Sequence, residues 1–232
     1  MTRVLVGGGT GRLGSLVCEA IIAADDLVLA GRVARSLDGA GDGWSSIGEA
    51  LGAARADVLL DVSAPDAGEA HALAGIGAGI PVVLGTTGVD GAGMERIDAA
   101  ARAAGVPVLY VPNFAITAVL MMRLAAEAAR VVPGCAIVEE HHTQKRDHPS
   151  GTARRTADMI EQVTGERPPI SSIRLDGLVA NQSVIFGAES QTLEIRHVTT
   201  GRAAFVPGAL LAVRRVGALG AGLHAGLEHV LD

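Results

Sequence analysis

Short apolar runs alternate with alanine-rich segments through the first half of the chain, and this alternation is the strongest constraint on the fold. Each run has the composition of a buried strand and is followed by Gly, Pro, Ser or Asp. The runs are Val4–Val6, Leu27–Ala30, Val58–Asp61, Val82–Leu84 and Val106–Tyr110. The helical segments are Leu13–Ala24, Ala67–Ala78 and Gly93–Ala104. Repeated strand–helix–strand units of this kind predict an α/β domain with a parallel sheet, interrupted by a surface loop at Ser36–Ser46.

The pattern changes after Pro112, where we expect a second region of the α+β type. Two helices are predicted there, Ala115–Val132 and Thr152–Thr164, with the strand Ala136–His141 between them. Further strands follow at hairpin distances, which favours an antiparallel or mixed open sheet. They are Ser172–Leu175, Leu178–Phe186, Thr192–His197 and Ala203–Val206. Pro207 then opens a last helix, Gly208–Val216, and since we see no strand after it, this helix is free to return to the first domain.

A glycine-rich string stands between the first strand and the first helix. It reads Gly7-Gly8-Gly9-Thr10-Gly11-Arg12-Leu13-Gly14. Glycines at these spacings permit a tight turn, a close approach of backbone to pyrophosphate and close packing of helix on strand. The helix N-terminus adds donors for an anion. The position predicts a Rossmann-like dinucleotide site, although a purely structural turn would use the same residues.

Composition excludes several other functions. The formal net charge of -6 and an aromatic content of 2% do not suit binding to a phosphate backbone, so we expect no nucleic-acid partner. The longest uncharged apolar run, Phe114–Met122, is far shorter than the roughly 20 residues that span a bilayer, so we expect no membrane segment and a cytoplasmic protein. Cys18 and Cys135 lie far apart, which predicts neither a disulfide framework nor a thiolate metal site.

The segment after the second predicted strand bears on the choice of nucleotide. Proteins that prefer NAD usually place a carboxylate there, roughly 20 residues past the glycine loop, to bind the ribose. The segment Ala30–Ser36 contains no carboxylate but two arginines. We therefore expect NADPH to be used at least as well as NADH, with Arg32 or Arg35 near the 2′-phosphate. A pair of solvated loop arginines is the alternative.

The densest group of chemically active side chains lies at residues 139–152. Three of the seven histidines and the only lysine of the chain, Lys145, fall within it. Lysine can give up a proton, which arginine cannot do in proteins. Successive strand residues point to opposite faces, so His141 and His142 should have different roles.

The turn Pro149-Ser150-Gly151-Thr152 opens the next helix and is suited to bind a carboxylate or phosphate. A histidine and a lysine beside it can donate a proton to the substrate held there. Two alternatives remain open. One is a metal site built from His141, His142, His148 and Asp147, and the other is a solvated loop without catalytic function.

These residues resemble one known family, the dihydrodipicolinate reductases, also called 4-hydroxy-tetrahydrodipicolinate reductases, of diaminopimelate and lysine biosynthesis. That family's signature is matched almost letter for letter by Glu140-His141-His142-x-x-Lys145-x-Asp147-x-Pro149-Ser150-Gly151-Thr152-Ala153. The resemblance runs the full length of the chain. Its other segments are the glycine loop, Asp61-Val62-Ser63-x-Pro65, Gly85-Thr86-Thr87-Gly88, Val111-Pro112-Asn113-Phe114 and Phe205-Val206-Pro207-Gly208-Ala209.

The resemblance implies an NAD(P)H-dependent reductase of 4-hydroxy-tetrahydrodipicolinate, a small cyclic dicarboxylate, with two domains. The dinucleotide-binding domain comprises residues 1–113 and is completed by 207–232. The substrate-binding and oligomerisation domain comprises residues 114–206, and its open sheet builds a homotetramer.

The resemblance also assigns roles to individual residues. His141 and Lys145 are the proton-donating pair, and no metal takes part. The substrate carboxylates are held by His142, Ser150, Gly151 and Thr152. The nucleotide is held by Gly8, Gly9, Thr10, Gly11, Arg12, Leu13, Ala34, Arg35, Gly85, Thr86, Thr87, Val111, Pro112, Asn113 and Phe114.

Two departures from the family pattern are visible. Ala34 stands where many members have an acidic residue, and Asn181 where many have a histidine. Two rival functions also remain: a reductase of another cyclic or amino-acid-derived imine, such as an aspartate-dehydrogenase-like enzyme, and a catalytically silent nucleotide-binding module.

Overall fold

The computed structural model describes residues 1–37 and 41–231, which divide into two compact units. Unit 1 takes residues 1–114 together with the segment that starts at Phe205, and unit 2 is Ala115–Ala204. The strands are β1 (Thr2–Gly7), β2 (Leu27–Val33), β3 (Gly43–Trp44), β4 (Val58–Asp61), β5 (Val82–Leu84), β6 (Pro107–Tyr110), β7 (Cys135–His141), β8 (Ile170–Arg174), β9 (Ala180–Ala188), β10 (Gln191–Thr199) and β11 (Gly222–Ala225). The helices are α1 (Gly14–Ala23), α2 (Ile47–Ala53), α3 (Pro65–Gly77), α4 (Gly91–Ala104), α5 (Ile116–Ala129), α6 (Gly151–Thr164) and α7 (Val206–Arg215).

Unit 1 is built on a parallel sheet with the strand order β11-β6-β5-β4-β1-β2-β3. Its central strands are buried, as shown by Leu5, Leu59 and Leu109, which have no exposed surface. Burial on both faces explains why these strands read as continuous apolar runs rather than as alternating patterns. The helices α1 to α4 and α7 pack against the sheet, and the prediction of a Rossmann-like parallel-sheet domain is confirmed.

Three expectations about secondary structure were wrong. The predicted loop Ser36–Ser46 contains the short strand β3, and three of its residues, 38–40, lie outside the described part of the chain. The predicted strand Ala203–Val206 is instead a 3-10 turn over Arg202–Phe205 that leads into α7. The chain also does form a strand after α7, because β11 pairs in parallel with β6. Ala203 and Ala204 favour a helical conformation locally. The strand β11 is too short to show the two-residue alternation that identifies a strand in a sequence.

Unit 2 has a mixed sheet, as predicted, with the order β10-β9-β7-β8. The β7–β8 pairing is parallel, whereas β9 runs antiparallel to both β7 and β10. One face packs on α5 and α6 through a core that includes Ile137, Val184 and Phe186. The opposite face presents Ile173, Ile185 and Val198, which are 42%, 37% and 51% exposed. On this second face the exposed apolar side chains lie among polar ones, which include the ion pair of Glu140 with Arg196.

No helix in residues 1–37 and 41–231 is both long enough and apolar enough to cross a bilayer.

Candidate active site

The glycine loop leaves the carboxyl end of β1 in the middle of the unit 1 sheet. Gly8 has the left-handed φ of 81° that glycine adopts without strain. Its turn is closed by the Gly11 N–H, which donates to the Gly8 carbonyl at 2.8 Å. Thr10, Gly11 and Arg12 are exposed at the tip of the loop, directly before α1. Ligands of open parallel sheets bind at this edge, beyond the carboxyl ends of the strands.

Several loop positions leave no space for a side chain. A Cβ at Gly8 would lie 2.6 Å from the Val62 carbonyl oxygen, and one at Gly9 would lie 2.8 Å from the Arg32 Cβ. A Cβ at Gly14 would lie only 2.0 Å from the carbonyl oxygen of Gly8. The glycines therefore hold the turn and the start of α1 in the close arrangement that a dinucleotide loop needs. The residues present fit a nucleotide cofactor.

A buried polar group supports the Gly85–Thr87 segment, which follows β5. The Thr86 hydroxyl donates to Oδ2 of Asp61 at 2.5 Å, and Nδ1 of His71 lies 2.7 Å from Oδ1 of the same carboxylate. Asp61 is fully buried and ends β4. Sequence reasoning assigned no role to Asp61 or His71. The sequence did contain one signal, since Asp61 ends an otherwise apolar strand. A carboxylate buried in this way needs hydrogen-bond donors around it.

Another segment predicted to hold the nucleotide, Val111–Phe114, follows β6. The Val111 N–H donates to the Leu84 carbonyl at 2.8 Å, which ties the end of β6 to β5. The Phe114 ring lies against Gly85, where a Cβ would be 2.4 Å from Cε2 of the ring. The structure thus brings the Gly85–Thr87 and Val111–Phe114 segments together at one edge of the sheet, with Pro112 and Asn113 between the two contacts.

The two arginines after β2 have different surroundings. Nη2 of Arg32 donates to Oδ1 of Asp42 at 2.6 Å, and its side chain is about three-fifths buried. Arg35 is 87% exposed and lies 3.8 Å from Asp66. Ala34 donates its N–H to the Trp44 carbonyl at 3.0 Å. Asp42 lies outside Ala30–Ser36, the segment considered for ribose binding. Its carboxylate comes close to Arg32 only because β3 pairs with β2.

The unit 2 candidate residues gather at the end of β7. Glu139 and His141 lie two positions apart in the strand and therefore share a face. Nδ1 of His141 is 2.5 Å from Oε2 of Glu139, and the Glu139 side chain is fully buried. Arg174 of β8 donates from Nη1 to Oε2 and from Nη2 to Oε1 of this carboxylate, both at 2.8 Å. His141 is therefore held by a charged network beneath it.

The network shifts the pKa values of both groups. Burial raises the pKa of Glu139, but hydrogen bonds from Arg174, Ser172 and His141 outweigh burial and hold it at about 2. Burial also lowers the pKa of His141, and the positive charges of Lys145 and Arg174 act in the same direction. Glu139 alone opposes them by favouring the imidazolium. Glu139 is thus ionised at neutral pH and accepts hydrogen bonds only.

Lys145 lies in the turn after β7. Its ammonium donates to Oδ1 of Asp147 at 2.7 Å, and its N–H donates to the His142 carbonyl at 3.1 Å. His142 is half-buried just beyond the strand. Arg174 links the two residues, since its guanidinium donates both to Glu139, which engages His141, and to the Lys145 carbonyl at 3.3 Å.

The predicted anion-binding turn begins α6. Ser150 is the N-cap, and its hydroxyl oxygen accepts from the Ala153 N–H at 3.1 Å. Its own N–H donates to Oε1 of Glu139 at 3.2 Å, and the residue is buried. Gly151 is exposed and Thr152 half-buried in the first turn of the helix. The predicted site residues of unit 2 are therefore brought together, with Ser150 beneath the surface and Gly151 on it.

Arg174 is the main residue that sequence reasoning missed. Its partners lie far back along the chain, and only the parallel register that pairs it with His141 brings them together. Glu139 could have been found from the sequence, because its two-residue spacing from His141 puts both side chains on one face of the strand. Asn181, noted as a departure, lies beside Glu140 on the open face, with Nδ2 donating to the Glu140 carboxylate at 3.3 Å. In the described part of the chain, no three His, Cys, Asp or Glu side chains cluster closely enough to hold a metal ion.

Comparison with known proteins shows the family of the chain. Residues 2–114 match the domain family described as "Dihydrodipicolinate reductase, N-terminus", and residues 117–231 match "Dihydrodipicolinate reductase, C-terminus". The chain is 37% identical to the 4-hydroxy-tetrahydrodipicolinate reductase of Moorella thermoacetica, covering 99% of this chain and 98% of that protein. It is 38% identical to the enzyme of the same name from Mycolicibacterium smegmatis, covering 99% of each.

A solved structure agrees over the whole chain. It is the dipicolinate-bound dihydrodipicolinate reductase from Paenisporosarcina sp. TG-14, which is 29% identical, covers 100% of both chains and superposes with a TM-score of 0.88. Both domain families, the full-length relatives and the fold thus agree with the resemblance of the signature residues. The chain belongs to the 4-hydroxy-tetrahydrodipicolinate reductase family, the NAD(P)H-dependent oxidoreductases of lysine and diaminopimelate biosynthesis.

Proposed function

We propose that this reductase converts 4-hydroxy-tetrahydrodipicolinate to tetrahydrodipicolinate with His141 and Lys145 as its proton-donating pair. The observation that carries the proposal is geometric: the buried Glu139 carboxylate engages both Nδ1 of His141 and the Ser150 N–H at the start of α6, and Lys145 lies in the turn between them. A cytoplasmic location is part of the same proposal.

The proposed nucleotide site lies in unit 1. The glycine loop from Gly8 to Leu13 would hold the pyrophosphate, and the Gly85–Thr87 and Val111–Phe114 segments would line the nicotinamide. NADPH or NADH, when bound, supplies a hydride. Asp61 holds the Thr86 hydroxyl and so keeps the first of these segments in place. The chain's contribution in this unit is to bind and to orient.

The proposed substrate site lies in unit 2. The Paenisporosarcina relative is bound to dipicolinate, a ring with two carboxylates, and a similar dicarboxylate fits the cationic surroundings here. We assign its carboxylates to His142, Ser150, Gly151 and Thr152, of which Ser150 is the buried N-cap of α6. Backbone donors at the start of α6 favour a negative charge at this place.

Proton transfer follows from the charges of the site. Loss of the 4-hydroxyl group as water gives the ring a conjugated imine. When that ring accepts a hydride, negative charge builds up across the conjugated system, and a neighbouring acid neutralises it. Because Nδ1 of His141 is engaged with Glu139, the ring atom that can face the substrate is Nε2. Lys145 adds a positive charge and a second proton that can be donated.

The assay that tests this proposal measures the loss of NADPH absorbance, with substrate generated in situ from pyruvate and aspartate semialdehyde by the preceding synthase. Turnover that depends on the synthase is the expected result. Turnover only with a different imine would support a reductase of another substrate. Tight NADPH binding without any turnover would support the catalytically silent alternative.

Arg35 provides a test of nucleotide choice. Arg32 is engaged by Asp42, so we assign the 2′-phosphate to Arg35, which is largely exposed. Replacing Arg35 with alanine removes a charge-assisted hydrogen bond and should lower kcat/KM for NADPH by about 10–100-fold while leaving the value for NADH unchanged. Arg55→Ala, at an exposed site elsewhere in unit 1, is the matched control. An equal loss with both nucleotides would contradict the assignment.

The open face of the unit 2 sheet supports a homotetramer. Ile173, Ile185 and Val198 are exposed there in the single chain, and apolar patches of this kind commonly mark an interface. Sedimentation should give the mass of four 23.5 kDa chains, and Ile185→Glu should shift the protein to smaller species. A wild-type monomer at assay concentrations would contradict the proposal.

A further inference from the structure

A single buried carboxylate connects the parts of the unit 2 site. Glu139 accepts hydrogen bonds from Nδ1 of His141 at 2.5 Å and from the Ser150 N–H at 3.2 Å. Both Nη atoms of Arg174 donate to it at 2.8 Å. The carboxylate has no exposed surface. It therefore touches the proposed proton donor and the start of the proposed anion site, but it cannot itself reach a substrate in solution.

Arg174 extends this network to the turn that carries Lys145. Its Nη2 donates to the Asp147 carbonyl at 2.7 Å, and its Nε donates to the Lys145 carbonyl at 3.3 Å. Its Nη1 also donates to its own strand at the Ile173 carbonyl, at 2.7 Å. A guanidinium has five donors in a fixed plane, so one side chain can hold a carboxylate and two loop carbonyls together. A lysine at this position could not do so.

We propose that Glu139 and Arg174 are positioning residues of the reaction, in which Glu139 keeps a proton on Nδ1 of His141 and Arg174 fixes the turn that carries Lys145. The proposal rests on the proposed function of His141 and Lys145. An ionised Glu139 has no proton to donate, so Nδ1 of His141 must carry one in both charge states of the ring. The proton that leaves and returns is therefore the one on Nε2. A histidine held in this way presents one defined atom to the substrate.

The charges around His141 predict how the reaction depends on pH. Facing the ring are Glu139 on its own strand, Arg174 on the neighbouring strand and Lys145 in the turn. Burial and the two cations lower the pKa of His141, and Glu139 is the one group of these that raises it. Removing the Glu139 charge should therefore lower the pKa of His141 further. The imidazolium would then be lost at a lower pH, and the high-pH limb of the kcat profile would move to lower pH.

Glu139→Gln is the variant that tests this, because it removes the charge and keeps the shape. We expect kcat to fall by about 10²-fold or more, KM to change little and the high-pH limb to move as described. Glu161→Gln is the matched control: it lies in the same unit, it also pairs with an arginine, Arg167 at 2.7 Å, and its side chain is exposed on α6 rather than buried beside His141. Equal kcat and equal pH profiles in the two variants would overturn the proposal.

Arg174→Lys separates the role of Glu139 from that of Arg174. It keeps a positive charge beside Glu139 but loses the hydrogen bonds to the Lys145 and Asp147 carbonyls. It should lower kcat without moving the high-pH limb in the direction seen for Glu139→Gln. An Arg174→Lys enzyme with wild-type kcat would overturn the part of the proposal that concerns Lys145.

A measurement that needs no turnover keeps this inference separate from the proposed function. In wild-type protein labelled with ¹⁵N at histidine, the neutral His141 ring should carry its proton on Nδ1, and in Glu139→Gln the two tautomers should mix. A wild-type ring protonated on Nε2 would overturn the inference, even if the variants failed to fold. Absence of turnover with the expected tautomer would instead count against the proposed reaction alone.

Discussion

Replacing Lys145 with methionine should lower kcat by about 10²–10⁴-fold while leaving the affinity for NADPH unchanged. The expected loss is that of a group that transfers a proton in the transition state. The affinity should be unaffected because Lys145 belongs to unit 2, whereas the proposed nucleotide site belongs to unit 1. Steady-state kinetics in the coupled assay gives kcat, and titration of the protein with NADPH in the absence of substrate gives the affinity.

Lys145→Arg is the control that separates charge from proton transfer. An arginine can keep the ion pair with Asp147, which lies 2.7 Å from the lysine nitrogen, but it does not release a proton in proteins. We expect the arginine variant to be nearly as slow as the methionine variant. An active arginine variant would assign Lys145 an electrostatic role only, and a methionine variant with wild-type kcat would refute its place in the site.

Replacing Gly14 with alanine should weaken NADPH binding by roughly 5–150-fold, which corresponds to a cost of about 1–3 kcal/mol for overpacking. The added Cβ would lie 2.0 Å from the carbonyl oxygen of Gly8 and 3.0 Å from Cα of Gly9. Both are backbone atoms of the glycine loop, so no side chain can rotate away to make room. The loop must shift relative to α1, and the shift displaces the donors proposed to bind the pyrophosphate.

Gly77→Ala is the matched control for this variant. Gly77 is helical, lies in the same unit and has open space where a Cβ would be built. Alanine there should leave NADPH binding unchanged and stabilise the protein slightly by restricting the unfolded chain. Urea unfolding in the absence of nucleotide shows whether the Gly14 variant is folded. Unchanged NADPH affinity in a folded Gly14→Ala protein would contradict the assigned role of the loop.

The sequence was most informative where structure depends on neighbouring residues. Buried parallel strands such as Val58–Asp61 appear as continuous apolar runs, and the turn at Pro149–Ser150 indicates a helix start, so these elements were predicted correctly. The strand predicted at Ala203–Val206 was wrong because its alanines continue a turn into the next helix. The strand β11 was missed because it is short and is stabilised by pairing with β6, which no local pattern encodes.

The site residues also differ in whether they could be predicted, according to how far apart they lie in the sequence. The cluster that carries His141 and Lys145 could be recognised because its members are close in sequence. Arg174 could not be recognised from position alone, because its contact with Glu139 depends on the parallel register of β7 and β8. Asp42 is similar, since only the pairing of β3 with β2 places it beside Arg32. Long-range register therefore set the limit of what could be predicted.

The pairing of β11 with β6 also affects the order in which a nascent chain can fold. A ribosome that has completed β6 must still synthesise all of unit 2 and α7 before β11 emerges. Until then the β6 edge has unpaired backbone groups that could pair with another strand. The strands of unit 2 are contiguous in sequence, so its sheet can close earlier. Although its synthesis begins second, unit 2 should therefore complete its fold first, and unit 1 should depend longest on protection from aggregation.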